Sequence, residues 1–117
     1  MKLQQILNSL QKLHPKEIDL SLDRIKKLCK KLGNPQDNLK YISVVGTNGK
    51  YSTIQAIRAI LKDANINCNI YTSPHIQRIN ERFIYNNEEI SDDNLAKLLA
   101  EVEDINAGEP ITYFEIL

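Results

Sequence analysis

The segment Val44-Val45-Gly46-Thr47-Asn48-Gly49-Lys50-Tyr51-Ser52-Thr53 decides the expected fold of this 117-residue chain. The apolar, β-branched run Tyr41–Val45 leads into it and predicts a buried strand of a parallel sheet. The glycines predict a turn, and apolar residues at helical spacing predict a helix that begins at Lys50. A second strand is predicted over Ile66–Tyr71. The expected unit is therefore strand, glycine turn, helix and strand, joined by a right-handed crossover.

The glycine turn has the chemistry of a phosphate-binding loop. Successive backbone N–H groups in such a turn form an anion site, and the N-terminus of the following helix adds unpaired N–H groups. Lys50 supplies a positive charge for the β- and γ-phosphates, and a hydroxyl just after such a lysine can bind Mg²⁺. The general pattern G-x-x-x-x-G-K-[ST] is not fully met, because Val44 and Tyr51 replace a glycine and a hydroxyl residue. The alternative is an ordinary turn that needs glycine for positive φ.

Outside this unit, apolar spacing and capping signals predict further elements. They are a helix from Leu3 to Leu13, a helix from about Ser21 to Leu32, a short strand over Arg82–Tyr85, a turn at Asn86-Asn87, a helix capped by Ser91 with an apolar stripe ending at Ile105, and a new element over Ile111–Leu117. Two core strands are too few for a stable sheet, so we expect a truncated chain.

Composition excludes several classes of partner. The chain has 15 basic and 15 acidic residues and a formal net charge of zero, which predicts no nucleic-acid surface. No apolar run approaches the roughly 20 residues that span a bilayer, so no membrane association is expected. Cys29 and Cys68 lie in apolar patterns without metal-type spacing and predict reduced thiols in the cytoplasm.

Several short motifs carry a resemblance to a known family. Gly46–Lys50 resembles the G-T-N-G-K phosphate loop of the Mur ligase superfamily. Three motifs resemble the folylpolyglutamate synthase / dihydrofolate synthase branch, namely Tyr71–His75 (Y-[TS]-S-P-H), Asn80–Arg82 (N-E-R) and Thr112–Glu115 (T-x-F-E). Upstream, Leu13-His14, Ile18-Asp19-Leu20 with Arg24, and Leu32–Pro35 also fit that branch. The likeness covers nearly the whole chain, and it departs from the family at Tyr51, where glycine is usual.

The resemblance implies a fold and a domain assignment. The fold would be α/β, a P-loop NTPase-like parallel sheet with flanking helices, as in the central ATPase domain of Mur ligases. Residues 1–117 would form the N-terminal part of that ATP-binding domain, without its remainder or the C-terminal domain. We expect a monomer, and we expect the fragment alone not to catalyse ligation.

The resemblance also implies a reaction. The family uses ATP and Mg²⁺ to add L-glutamate to dihydropteroate or folate polyglutamates through an acyl phosphate. The sequence does not choose between these two acceptors. A stand-alone nucleotide-binding module without ligase activity is the alternative from another class. A peptidoglycan-type Mur ligase is a third, but it should lack the S-P-H, N-E-R and T-x-F-E motifs.

Site residues follow from the resemblance position by position. The ATP phosphates would be held by Gly46, Thr47, Asn48, Gly49, Lys50 and Ser52, with Lys50 in the catalytic role. Ser52 would be a metal ligand near Mg²⁺, and Ser73 would be a ligand of a second metal ion. The pteroate or folate pocket would be lined by Leu13, His14, Thr112, Tyr113, Phe114 and Glu115. Asn80, Glu81 and Arg82 would lie in the mobile loop beside it, and His75 would be a possible substrate contact.

Some of these residues also have a purely structural interpretation. Ser73 could simply shape a loop, and His75 either contacts a substrate or hydrogen-bonds loop backbone. Glu81 and Arg82 could form a local ion pair of small energetic value. Glu115 is either partly buried and functional or on the exposed side of a helix. Tyr51 is expected to be tolerated if its position is already helical.

Overall fold

The computed structural model describes residues 2–15 and 20–117. The motif residues Ile18 and Asp19 lie outside these ranges. The helices are α1 (Leu3–Leu13), α2 (Asp23–Lys31), α3 (Lys50–Asp63), α4 (Asp92–Asn106) and α5 (Tyr113–Ile116), and the strands are β1 (Ile70–Tyr71), β2 (Phe83–Tyr85) and β3 (Glu88–Glu89). Short 3₁₀ turns occupy Pro35–Asn38 and Ile79–Arg82.

These residues divide into two compact units. The helical unit comes from Met1–Leu39 and Ser91–Leu117, and the mixed unit is Lys40–Ile90. The helical unit therefore holds α1, α2, α4 and α5, and the mixed unit holds α3 and all three strands. The chain leaves the helical unit after Leu39 and returns to it at Ser91.

The core of the helical unit is built around α4, which contacts α1, α2 and α5. The helical spacing of the apolar residues puts one face of α1 and one face of α4 inside. The buried apolar side chains are Leu3, Ile6, Leu7, Leu10, Leu28, Leu95, Ala96, Leu99, Ile111 and Ile116. Burying one leucine side chain contributes roughly 1.5–3 kcal/mol, so this cluster is the main source of stability in the unit.

The predicted helices are confirmed, with small shifts at their ends. The Ser91 hydroxyl accepts a hydrogen bond from Asn94 N–H at 3.3 Å and caps α4, and Asp92 and Asp93 occupy its first turn. The helix α2 spans Asp23–Lys31 rather than Ser21 to Leu32, and Gly33 follows it with φ of 83°. Local spacing and capping thus determine these elements.

The sheet of the mixed unit is antiparallel, with the strand order β1-β2-β3. Ile70 pairs with Ile84, and Ile84 pairs with Glu89 across the next ladder. The two-residue turn between β2 and β3 is Asn86-Asn87, and both residues have positive φ, at 50° and 66°. Asparagine tolerates this left-handed backbone, which two-residue hairpins favour. The predicted strand and turn in this segment are confirmed.

The predicted P-loop NTPase-like parallel sheet is wrong. Tyr41–Val45 forms no strand, and it is largely exposed, with Val45 at 89%. Only Ile70–Tyr71 of the second predicted strand is in a sheet, and it pairs antiparallel with Phe83–Tyr85. Apolar, β-branched residues favour extended backbone locally, but a strand also needs a hydrogen-bonding partner, and within residues 2–15 and 20–117 none lies beside Tyr41–Val45. The described chain is mostly helical with one short antiparallel sheet.

Candidate functional site

The glycine loop ends at the first turn of α3. Gly46 has φ of 149° and Gly49 has φ of 75°, so both adopt backbone that side chains disfavour. Gly49 is the N-cap of α3 and provides no side-chain cap. The residues from Gly46 to Gly49 are exposed. The loop thus leads into a 14-residue helix whose N-terminus has no side-chain cap hydrogen bond.

Lys50 is folded back over this loop. Its Nζ donates a hydrogen bond to the Gly46 carbonyl oxygen, and the side chain is half-buried. The ammonium group therefore lies beside the peptide groups of the loop and has no salt bridge to a carboxylate within the described residues. A bound anion at the helix N-terminus would compete with a single carbonyl for this charge.

The two residues after Lys50 are both helical and exposed. Tyr51 lies in the first turn of α3, with 69% of its surface accessible. Its helical backbone does not require glycine, which agrees with the prediction that tyrosine is sterically acceptable here. Ser52 presents its hydroxyl from the same turn.

The hydroxyls predicted to bind metal lie in the mixed unit. Ser52 is in α3, and exposed Ser73 precedes Pro74 in a loop after β1, with a cis peptide bond between them. Nowhere in residues 2–15 and 20–117 do three His, Cys, Asp or Glu side chains cluster in a way that could hold a metal ion. These hydroxyls alone do not make a complete metal site.

The loop from Ile76 to Arg78 is organised by the Glu81 carboxylate. Glu81 accepts hydrogen bonds from the N–H groups of Ile76, Gln77 and Arg78, at 2.8, 3.0 and 2.9 Å. The donors at Ile76 and Arg78 contribute most to lowering the pKa of the Glu81 carboxyl below its ordinary value. A local pair with Arg82 was one interpretation of Glu81, but its observed partners are backbone amides.

The neighbouring residues of the N-E-R motif fix the same loop. Arg82 is 7% exposed, and its Nε donates to His75 Nδ1 at 2.8 Å. Because Nδ1 accepts, a neutral His75 ring carries its proton on Nε2. Asn80, at 1% exposure, donates from Nδ2 to the Ile90 carbonyl at 2.9 Å. In the structure, His75 is thus hydrogen-bonded to the Arg82 side chain. The sequence suggested a contact with a substrate or with loop backbone instead.

A cleft of about 380 Å³ lies in the helical unit, at the end of α1. It brings together three residues predicted for the substrate pocket, Leu13, His14 and Thr112. Its lining is completed by Pro15, Arg24, Gly108, Pro110 and Ile111. Leucine, isoleucine and two prolines make most of the wall apolar, while His14, Arg24 and Thr112 offer polar atoms.

A hydrogen-bonded histidine and one ion pair connect the elements around this cleft. His14 Nε2 lies 2.9 Å from Glu103 Oε2, although the two residues are 89 positions apart. Arg24 Nε donates to Glu115 Oε1 at 3.0 Å across 91 positions. His14 is 3% exposed, so its partner on α4 satisfies a buried polar ring.

The predicted T-x-F-E residues form a capped helix start. The Thr112 hydroxyl accepts from Glu115 N–H at 3.2 Å, and Glu115 Oε1 accepts from Thr112 N–H at 3.1 Å. This reciprocal capping box begins α5. Tyr113 and Phe114 stack edge to face with ring centroids 5.4 Å apart, and neither belongs to the cleft lining. In the structure, Thr112 therefore lines the cleft, and Glu115 forms an ion pair with Arg24.

Sequence reasoning did not identify Glu103, and it gave Arg24 only a place in a motif. Glu103 lies among other polar residues of α4, and nothing in its spacing marks it as a partner of His14. No local pattern could have shown either pair, because both depend on how distant helices pack.

Among the described residues, no helix is both long and apolar enough to cross a membrane.

Comparison with known proteins gives the same family from sequence and from structure. A dihydrofolate synthase/folylpolyglutamate synthase of Haemophilus influenzae is 38% identical over 109 residues, which are 93% of this chain and 25% of that protein. E. coli FolC, solved in complex with DHPP and ADP, superposes with a TM-score of 0.88 at 33% identity, over 99% of this chain and 28% of its own.

A third relative was solved with a nucleotide analogue. It is the bifunctional folylpolyglutamate synthase/dihydrofolate synthase of Yersinia pestis complexed with AMPPNP and Mn ion, with a TM-score of 0.87 at 33% identity over 99% of this chain and 28% of its own. No family model matches the chain.

These likenesses define the chain as a homologue of glutamate-adding ligases. It belongs to the folylpolyglutamate synthase/dihydrofolate synthase family. The chain spans about a quarter of the length of the curated relatives it matches.

Proposed function

We propose that this chain is the N-terminal part of the ATP-binding domain of a ligase that adds L-glutamate to dihydropteroate, to folate polyglutamates, or to both. The observation that carries the proposal is the exposed glycine loop, which presents the N-terminus of α3 without a side-chain cap beside Lys50. Membership of the family supports the reaction type. The activity belongs to the complete protein that carries these residues.

The glycine loop fits the phosphates of ATP. Gly46 and Gly49 give the loop its turn, and Thr47 and Asn48 contribute backbone N–H groups between them. The N–H groups of the first turn of α3 add partial positive charge, which favours phosphate oxygens. Lys50 would exchange the Gly46 carbonyl for the β- and γ-phosphates. Its full charge offsets repulsion between ATP and the acceptor carboxylate, which makes it the residue we assign to catalysis.

Magnesium fits this loop only together with ATP. The Ser52 hydroxyl would supply one oxygen ligand to Mg²⁺, and the Ser73 hydroxyl one to a second metal ion. No carboxylate cluster among the described residues completes a shell. Mg²⁺ commonly takes several ligands from substrate phosphates and water, so the Ser52 hydroxyl is compatible with it. When bound, the ion neutralises charge on the phosphates.

The cleft of the helical unit is the proposed acceptor site. Leu13 and Ile111 would contact the apolar faces of the acceptor, and His14 and Thr112 would offer hydrogen bonds. Glu115, Tyr113 and Phe114 would set the position of Thr112 through α5. The loop containing His75, Asn80, Glu81 and Arg82 is proposed to be held rigid by its internal hydrogen bonds.

The reaction needs positioning more than a protein nucleophile. An acceptor carboxylate oxygen attacks the γ-phosphorus of ATP, and ADP leaves. The amino group of L-glutamate then attacks the acyl carbon, and phosphate leaves. Both steps bring anions together, so cationic and N–H groups at the phosphates lower the barrier.

Nucleotide titration of the isotope-labelled chain tests the loop assignment. With AMPPNP and Mg²⁺, the largest NMR amide shifts are expected over residues 46–52. Lys50→Ala should weaken binding by about 10- to 100-fold, since a charge-assisted hydrogen bond contributes about 1.5–3 kcal/mol. Lys62→Ala, at the other end of α3, is the matched control and should leave affinity unchanged.

Two results would count against the loop. One is a set of shifted amides that excludes residues 46–52. The other is a Lys50→Ala variant that binds AMPPNP as tightly as Lys62→Ala does. A chain that binds nucleotide normally, in a complete protein that never ligates glutamate, would instead support the stand-alone nucleotide-binding module.

A further inference from the structure

Arg24 lies on the wall of the cleft, and among the described residues two groups bind its guanidinium. Its Nε donates to Glu115 Oε1 at 3.0 Å, and its terminal NH2 group donates to the Ser21 carbonyl at 3.2 Å. The Arg24 and Glu115 side chains are 20% and 17% exposed. The pair is therefore partly shielded from water, where a charge acts more strongly than on an open surface.

Glu115 connects this charge to the rest of the cleft wall. The same oxygen, Oε1, also accepts the N–H of Thr112, a residue that is 2% exposed and lines the cleft. One carboxylate thus holds Arg24 from α2 and the start of α5 together. It also places a negative charge against the positive charge that Arg24 brings to the cleft.

We propose that Glu115 is a positioning residue that sets the charge selectivity of the cleft. By compensating Arg24, it limits the attraction of the cleft for anionic groups. The inference rests on the proposed function, which places the acceptor in this cleft. Acceptors of that reaction differ in charge, because each added glutamate contributes one further carboxylate. Glu115 would therefore limit the preference for acceptors with long glutamate tails.

The test compares pteroyl compounds of increasing charge. Pteroic acid, pteroylglutamate and pteroyltriglutamate are titrated into the 117-residue chain by calorimetry at pH 7. The quantity of interest is the affinity ratio of triglutamate to pteroic acid. Glu115→Gln keeps an oxygen acceptor for Thr112 N–H but removes the charge, and it should raise the ratio about threefold to tenfold.

Substitution of Arg24 distinguishes an effect of charge from structural damage to the cleft wall. Arg24→Gln should lower the same ratio, because it removes the positive charge and leaves Glu115. In the double variant Arg24→Gln/Glu115→Gln, the affinity ratio should return towards the wild-type value. Damage to the cleft wall would move both single variants in the same direction. Glu101→Gln, an exposed carboxylate on α4, is the control for overall charge and should leave the ratio unchanged.

The proposal is overturned if Glu115→Gln leaves the ratio within twofold of wild type, if both single variants shift it the same way, or if Glu101→Gln shifts it equally. A wild-type chain that binds none of the three compounds would overturn this inference and the acceptor site together. The nucleotide titration is independent of that result, so a failure of the phosphate loop is seen separately.

Discussion

Tyr51 stands where the resembling family usually has glycine, and it lies in the first turn of α3 with an exposed ring. Its helical backbone explains why a tyrosine can follow Lys50 without disturbing the glycine loop. The glycines that matter are Gly46 and Gly49, whose positive φ values a side chain would strain. The chain thus keeps glycine where the backbone needs it.

Replacing Tyr51 by glycine tests this interpretation. Tyr51→Gly should lower the free energy of unfolding by roughly 0.5 kcal/mol, since glycine is the poorer helix former. Turnover of the complete protein should stay within a few-fold. Urea unfolding and steady-state ADP release measure the two effects. A gain in turnover of orders of magnitude would show that the tyrosine obstructs the nucleotide.

Single residues also distinguish the two proposed binding sites, the glycine loop for ATP and the cleft for the acceptor. Lys50 is half-buried over its own loop, whereas His14 and Arg24 are each paired with a distant carboxylate. The pairs were not predictable from the sequence, because their partners lie 89 and 91 positions away. The Lys50 side chain contacts a residue only four positions away in its own loop. The assignment of Lys50 to ATP binding stays a prediction.

At the scale of elements, the helices follow from local sequence and the sheet does not. The apolar stripes of α1 and α4 depend only on residues in adjacent turns of the same helix. The Ser91 cap likewise depends only on the first turn of α4. Strand pairing depends on a second segment, and Tyr41–Val45 has the composition of a strand without a partner in the described chain. The hairpin at Asn86-Asn87 is the exception, because both of its strands adjoin one turn. The sequence therefore predicts which segments are helical but not how the strands pair.

The loop held by Glu81 gives a pH-dependent prediction. Its N–H donors, those of Ile76 and Arg78 above all, lower the Glu81 pKa in the folded state below its ordinary value in an unfolded chain. Stability from this carboxylate is therefore fully present above the unfolded pKa and is lost as pH falls through the folded pKa. Glu81→Gln should flatten that part of the acid limb of the unfolding free energy against pH.

Glu109 provides the comparison for this measurement. Lys27 and Lys31 lower the Glu109 pKa, with Nζ atoms 2.7 and 3.2 Å from its carboxylate oxygens. Side-chain charges in water are screened by salt, so the effect of Glu109→Gln should disappear in about 1 M NaCl. The Glu81→Gln effect should persist there, because its partners are fixed backbone amides. Equal salt sensitivity of the two variants would contradict this.

At the scale of the whole chain, two separate regions carry the proposed function. The glycine loop belongs to the mixed unit, and the cleft belongs to the helical unit. Short motifs predicted the family. Leu13, His14 and Thr112 line one cleft, and their role as a substrate pocket stays a prediction. The motifs did not predict the sheet, the His14–Glu103 hydrogen bond or the Arg24–Glu115 ion pair, which depend on packing between segments distant in sequence.

The central claim is that Lys50 and the glycine loop serve glutamate ligation in the complete protein. The most direct measurement is ADP release with ATP, Mg²⁺, L-glutamate and dihydropteroate or tetrahydrofolate, compared with reactions that lack one component. We predict release that requires both glutamate and a pteroyl acceptor, that falls at least 100-fold in Lys50→Ala, and that the 117-residue chain alone does not show. Acceptor-independent release, or full activity of Lys50→Ala, would contradict the account.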